Sequence, residues 1–245
     1  MKSLTKFLLA VALLSGAGYT YAKPAIIVKA KASNDTQDRH LTGFDAVDAQ
    51  GSFDVYITQG SSESVKVDAP ADVINNVVTE VEDHVLKIHD KRHSGSDWNW
   101  TGHKKIAVYV TVRDINAIDV SGSGNVAFKD GLHSENFKIR VSGSGDVIGK
   151  IESKELACNI SGSGNMKLSG HAENSSVSVS GSGDYNGREV TTSGTTVQVS
   201  GSGNASINAS SSITAAVSGS GDVRYTGGAQ HVIKSKSGSG DISGN

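Results

Sequence analysis

The sequence contains a single cysteine, Cys158, two prolines and only 5% aromatic residues in 245 positions. One cysteine excludes an intrachain disulfide, so rigidity must come from a packed core or a hydrogen-bond ladder. Basic residues do not dominate: 23 Lys and Arg stand against 25 Asp and Glu, a net charge of −2. That balance excludes a nucleic-acid partner, which demands a concentrated basic face. Beyond the N-terminus no apolar run is long enough for a transmembrane helix.

The N-terminus itself reads as a secretory signal over residues 1–22. Lys2 and Lys6 supply the positive start, Phe7 to Leu14 the short apolar run, and Thr20-Tyr21-Ala22 the residues a signal peptidase reads. No cysteine adjoins that junction, which argues against a lipid anchor. Cleavage after Ala22 removes two lysines and takes the charge from −2 to −4. The expectation is a protein exported through a signal peptide: periplasmic, secreted or associated with the cell surface.

What is abundant is glycine, 29 residues of it, arranged in regular corners. Ser-Gly-Ser-Gly-(Asn/Asp) begins at Ser121, Ser142, Ser161, Ser180, Ser200, Ser218 and Ser237, in steps of 21, 19, 19, 20, 18 and 19 residues. The glycines are Gly122 and Gly124, Gly143 and Gly145, Gly162 and Gly164, Gly181 and Gly183, Gly201 and Gly203, Gly219 and Gly221, and Gly238 and Gly240. The copies end in Asn125, Asp146, Asn165, Asp184, Asn204, Asp222 and Asp241. A period this short over half the chain is that of a stacked solenoid; a propeller blade needs roughly 40 residues.

The flanks are strands. Triplets such as Ile139-Arg140-Val141, Cys158-Asn159-Ile160 and Val197-Gln198-Val199 alternate apolar, polar, apolar before each corner. After each corner the first residue is Val126, Val147, Met166, Tyr185, Ala205, Val223 or Ile242, so the chain turns inward at once. The glycines serve positive φ and close backbone approach; Ser, Asn and Asp side chains serve donors that the corner would orphan. Two positions later, Phe128, Leu168 and Ile207 follow Asn corners, whereas Gly149, Gly187 and Gly244 follow Asp corners, with Tyr225 the exception. The working unit is therefore a pair of rungs. Lys234-Ser235-Lys236 makes the last copy a polar cap.

The fold class predicted is an all-β, single-stranded right-handed β-helix with about 19–20 residues per repeat. Residues 23–41 form an N-terminal extension and residues 42–245 the solenoid. Within it 42–117 is a less regular β-rich start and 118–245 the regular stack. Gln50-Gly51-Ser52-Phe53-Asp54-Val55 matches the corner in register with two substitutions, and only Ala71 to Val81 offers a short helical turn.

Few residues point to chemistry. Gly-x-Asp corners resemble calcium-loaded β-rolls, but those need a nine-residue period, and here Asn takes alternate positions. His84, His89, His93 and His103 read as a solvated loop, since a zinc or copper site requires a fourth ligand that the sequence does not supply. The corner carboxylates Asp146, Asp184 and Asp222 are equivalent positions two rungs apart, roughly 10 Å, which argues against a catalytic pair. Cys158 falls in an inward column and reads as core rather than nucleophile. No cofactor or metal site is expected, and the protein is read as a non-enzyme. The polar loop Ser94–Gly102 holds both tryptophans, Trp98 and Trp100, beside Asp97, and is the candidate contact surface.

The repeated Val/Ile-Ser-Gly-Ser-Gly-Asp/Asn-Val resembles the auto-transporter adhesin head family, also called the head GIN domain. Phe44-Asp45-Ala46-Val47, Phe53-Asp54-Val55-Tyr56-Ile57 before Gln59-Gly60, and Val223-Arg224-Tyr225-Thr226-Gly227-Gly228 extend the likeness to about residues 42–244. The resemblance implies an exported bacterial β-helix with an adhesive role proposed by analogy, and brings no catalytic residues. The function expected is a non-catalytic, adhesin-like or structural binding module. The alternative is a carbohydrate-binding or carbohydrate-active protein using the Trp98/Trp100 loop. The partner stays open between a cell-surface glycan and a protein, with a homo-oligomer as a third case.

Overall fold

The computed structural model describes residues 34–91 and 105–244, and these form one 16-stranded sheet wound into a β-solenoid. The first strands are β1 (Asn34–Asp38), β2 (Ala46–Gly51), β3 (Asp54–Gln59) and β4 (Ser64–Pro70). A 3-10 turn at Ile74–Asn76 leads to β5 (Val77–Glu82), β6 (Val85–Asp90) and β7 (Ala107–Val112). β8 (Ala117–Gly122) opens the regular stack of β9 (Asn125–Gly143), β10 (Val147–Gly162), β11 (Met166–Gly181), β12 (Tyr185–Gly201) and β13 (Ala205–Gly219). β14 (Val223–Thr226), β15 (His231–Gly238) and β16 (Ile242–Gly244) close it.

Each long strand runs from one corner to the next and pairs in parallel with its neighbours. Val147 therefore faces Met166, which faces Tyr185, then Ala205, then Val223. All five are buried, as are Ile139, Cys158, Val177 and Val197 on the other wall. One rung has only a narrow apolar stripe, and stacking turns the stripes into a continuous core. The alternation of large and small residues has a steric cause. A Cβ added to Gly149 would sit 2.0 Å from the Phe128 ring, and one added to Gly187 would sit 2.5 Å from the Tyr185 hydroxyl. Gly149 makes room for a ring on the neighbouring rung, as Gly244 does for Tyr225, whereas Gly187 makes room for a ring on its own strand. The core is not wholly apolar: the hydroxyls of Ser175, Thr195 and Thr192 bond in sequence at 2.8 Å, and Thr192 donates to the Asn208 carbonyl at 2.9 Å.

The corners refine the sequence reading. Only the first glycine of each takes positive φ, from +113° at Gly122 to +129° at Gly219. The second is required by proximity: a Cβ on Gly145 would lie 2.1 Å from the Gly124 carbonyl oxygen, and one on Gly183 2.1 Å from that of Gly164. The rungs lie this close because one glycine carbonyl serves two donors. The N–H groups of Ser144 and Gly145 both reach the Gly122 oxygen, at 2.8 and 3.1 Å, and the pattern repeats along the stack.

The N-terminal part is not packed onto the solenoid from outside but supplies its first turns. β2 and β3 meet at the corner read from sequence, with Gly51 opposite Gly122 and Asp54 opposite Asn125. β6 and β7 form the turn before it, pairing in parallel with β2 and β3. The rung that comes first in the chain is thus second in space. Antiparallel strands cover this end, β5 on β6 and β4 on β7 with β1 outermost. β1 corrects the N-terminal boundary: Asn34 to Asp38 belong to the sheet, although their all-polar sequence on an exposed edge carries no alternation to mark a strand. At the other end Lys234 is the cap expected, donating to the Ile242 carbonyl at 3.0 Å with its ammonium 4.9 Å from the Tyr225 ring centre. The signal-peptide reading of residues 1–22 lies outside the described residues.

Candidate functional site

The corner carboxylates are structural. Asp146 Oδ1 accepts the backbone N–H and the side-chain amide of Asn165, both at 2.9 Å, and Asp184 Oδ1 does the same for Asn204 at 2.8 and 2.9 Å. Asn125, Asn165 and Asn204 in turn accept the N–H of Asp146, Asp184 and Asp222 at 3.1–3.2 Å. The ladder starts at Asp54, whose carboxylate takes the Asn125 amide at 3.0 Å. Alternation now has a reason: an Asn between two carboxylates donates to one and separates their charges, where adjacent Asp residues about 4.8 Å apart would repel. The rule fails once, at Asp222 and Asp241, where Arg224 contacts the Asp222 carboxylate at 3.3 Å. The corner serines stay exposed on every rung, and the Asn and Asp side chains serve the N–H of the next rung rather than capping their own corner.

Other candidates are placed as follows. Cys158 is buried, its thiol pushed up to about 12 by burial despite a hydrogen bond from the Tyr185 hydroxyl, and is no nucleophile at neutral pH. The histidine loop is a correction. His84 sits in the β5–β6 turn at φ +63°, with Nδ1 3.1 Å from the Gly43 carbonyl. His89 lies within β6, with Nε2 2.9 Å from Glu80 Oε1. Alternating apolar positions in Val85-Leu86-Lys87-Ile88 extend the strand through His89 and split the cluster. Among the described residues no three His, Cys, Asp or Glu side chains gather as a metal site.

Trp98, Trp100 and Asp97, with His93 and His103, lie outside the described residues. The pairing of their flanks nevertheless locates the insertion. Ile88 faces Ala49 and Ala107 faces Asp54, so residues 89–106 stand where the next rung has only residues 50–53.

A contact face that the sequence reading missed lies on β3 and β7. Tyr56 and Tyr109 point outward from β3 and β7 and stack, ring centres 5.3 Å apart and planes 18° from parallel. They are 39% and 47% exposed, and Ile148, two rungs along the same outward column, is 41% exposed. Between Tyr56 and Ile148 the column holds only Ala127. The result is a hollow of about 480 Å³ bordered on one side by Asp54, Asn125, Asp146 and Asn165 and on the other by Lys129, with Lys167 next to Ile148 at the end of the column. Both tyrosines were visible as the polar-facing member of Val55-Tyr56-Ile57 and Val108-Tyr109-Val110. Their adjacency was not, because nothing in the sequence says that β7 stacks back against β3.

A fold of this kind, with this corner, matches the family model described as "Putative auto-transporter adhesin, head GIN domain" over residues 43–229. The chain belongs to this family. Among solved structures it is similar to a putative adhesin from Bacteroides fragilis NCTC 9343, at 25% identity and a TM-score of 0.81, covering 87% of this chain and 97% of that one. A putative adhesin from Parabacteroides distasonis ATCC 8503 shares the fold at 21% identity and a TM-score of 0.70, covering 88% of this chain and 98% of that one. A putative lipid binding protein from the same strain does so at 22% identity and 0.68, with the same coverage. No curated protein matches the chain in sequence.

Proposed function

We propose that this head GIN domain protein is a non-catalytic adhesive module of the bacterial envelope, exported and working through an outer sheet face rather than an enclosed pocket. The observation that carries this is the exposed Tyr56–Tyr109 stack with Ile148, large apolar side chains on the outside of a solenoid whose other outward positions are mostly polar. Membership of an adhesin family supports the same reading. The repeated carboxylates support a non-catalytic role, since Asp146 and Asp184 are each engaged by the next rung at an equivalent position. No helix among the described residues is long and apolar enough to cross a membrane.

A second reading assigns recognition to the Trp98/Trp100 loop, favoured by its insertion where the next rung has only residues 50–53. Purified chain carried on beads, tested for retention on polysaccharides, matrix proteins and bacterial envelope fractions with product release followed in parallel, tests both. Retention without turnover is the expected result. Turnover of a polysaccharide overturns the non-catalytic reading. Loss of retention in the Trp98→Ala, Trp100→Ala double variant transfers it to the loop.

A further inference from the structure

The face around Tyr56 has a shape as well as an exposure. In the outward column Tyr109, Tyr56, Ala127, Ile148 and Lys167 follow one another across successive paired strands. Tyr109 covers one face of the Tyr56 ring, and the next neighbour on the other side is a methyl group. Tyr56 and Ile148 thus stand as two walls over an alanine floor, two strand spacings or roughly 9.6 Å apart. One ring in van der Waals contact with both walls takes about 7–8 Å of that.

The rims differ in chemistry. Along one run the carboxylates of Asp54 and Asp146, each using Oδ1 within the ladder. On the other stands Lys129, and Lys167 follows Ile148 within the column; neither forms an ion pair among the described residues. A second hollow of about 220 Å³ continues the first along the stack, sharing Lys129, Ile148 and Lys167 and adding Lys150 and Glu189. An apolar ring face, hydrogen-bond acceptors on one edge and an ammonium group on the other suit a sugar with an apolar face, hydroxyls and an anionic substituent. A continuous groove suits a polymer.

Resting on the adhesive reading above, we infer that this notch binds an acidic polysaccharide. One uronate ring stacks on the free face of Tyr56 over Ala127, with its hydroxyls towards Asp54 and Asp146 and its carboxylate towards Lys129, while Lys167, beyond Ile148, meets the next charged unit of the polymer. The lysines give selectivity for the charged polymer, and the stack gives the site its position.

The test is affinity electrophoresis and bead retention of the full chain with polygalacturonate, alginate, uncharged dextran and polyglutamate. Ala127→Phe fills the notch on an outward strand position that accepts aromatics, and Tyr56→Ala removes one wall; circular dichroism confirms that both fold. Wild type is expected to bind polygalacturonate or alginate over dextran, with at least about tenfold weaker binding in either variant. Lys129→Gln with Lys167→Gln is expected to abolish the preference over dextran. Equal binding of polyglutamate would show attraction by charge alone and overturn the site. Binding lost in Trp98→Ala, Trp100→Ala but kept in Ala127→Phe overturns it in favour of the loop. Retention only on proteins or envelope fractions, unchanged by Ala127→Phe, removes the sugar site and leaves the adhesive reading intact. No retention on any surface removes both.

Discussion

Two corners of this molecule share a backbone and differ in what lies against them. At residues 180–184 the corner is Ser-Gly-Ser-Gly-Asp, clamped on the corner before it. At residues 50–54 it is Gln-Gly-Ser-Phe-Asp, and the preceding turn has 18 residues, 89–106, between the positions paired with Ala49 and Asp54. The first glycine survives in both, with φ of +117° at Gly181 and +129° at Gly51. The second does not: Gly183 faces a carbonyl oxygen that would sit 2.1 Å from a Cβ, whereas the corresponding Phe53 turns a buried ring into the end of the core. The first glycine is thus required by conformation at both corners, and within the stack by proximity too, since a Cβ on Gly181 would lie 2.5 Å from the Gly162 oxygen; the second is required by stacking alone. Where stacking stops, the position is free to fill a core that would otherwise be open.

The sharpest way to break this comparison is to make the two corners identical. Phe53→Gly restores the repeat sequence and is expected to destabilise by about 4 kcal/mol, because it empties the space of a fully buried ring. A denaturant titration in which the variant equals wild type would show that Phe53 is dispensable packing. In the opposite direction, Gly183→Ala adds one methyl group and is expected to cost about 3 kcal/mol, since the Gly164 carbonyl it meets is backbone held on both sides. Gly43→Ala is the control, at φ +84° with nothing within 4 Å of the added Cβ. It pays only the left-handed conformation, about 1–2 kcal/mol. A loss at Gly183 no greater than at Gly43 would mean that the Gly164 carbonyl gives way and that the stack does not require its second glycine.

The same contrast separates what was legible in the sequence from what was not. The regular stack could be read residue by residue, because parallel pairing at a fixed step puts neighbours in space at a fixed distance in the chain: Val147 meets Met166 19 positions on. The cap was legible too, since Lys234 breaks an apolar column. The first turns were legible only as strands and as one corner. Their order is set by long-range pairing, and no periodicity states that the β6–β7 turn lies before β2–β3 rather than after it. The stacked pair of tyrosines, 53 positions apart, arises from that order. The binding candidate taken from composition, Trp98 with Trp100, follows from where the repeat is interrupted. The candidate taken from geometry, Tyr56 with Ala127, follows from the stacking of β7 on β3 and of β3 on β9.

The Asn/Asp ladder offers the finest test, because the stack and its end treat charge differently. In the regular part Asn165 separates Asp146 from Asp184, donating its amide to the first and accepting the N–H of the second. At the end Asp222 and Asp241 are neighbours, and Arg224 lies beside Asp222. Asn165→Asp keeps the acceptor, loses the donor and sets three carboxylates in a row. The expected loss is about 1 kcal/mol at low ionic strength, shrinking as salt approaches ~1 M, where exposed charges are screened within about 3 Å. Asp241→Asn is the mirror experiment: it restores alternation at the end and is expected to raise stability by a few tenths of a kcal/mol, again less in high salt. A loss at Asn165 that does not depend on salt would assign the alternation to amide hydrogen bonding alone. A loss that salt removes would show that the repeat alternates in order to keep its own charges apart.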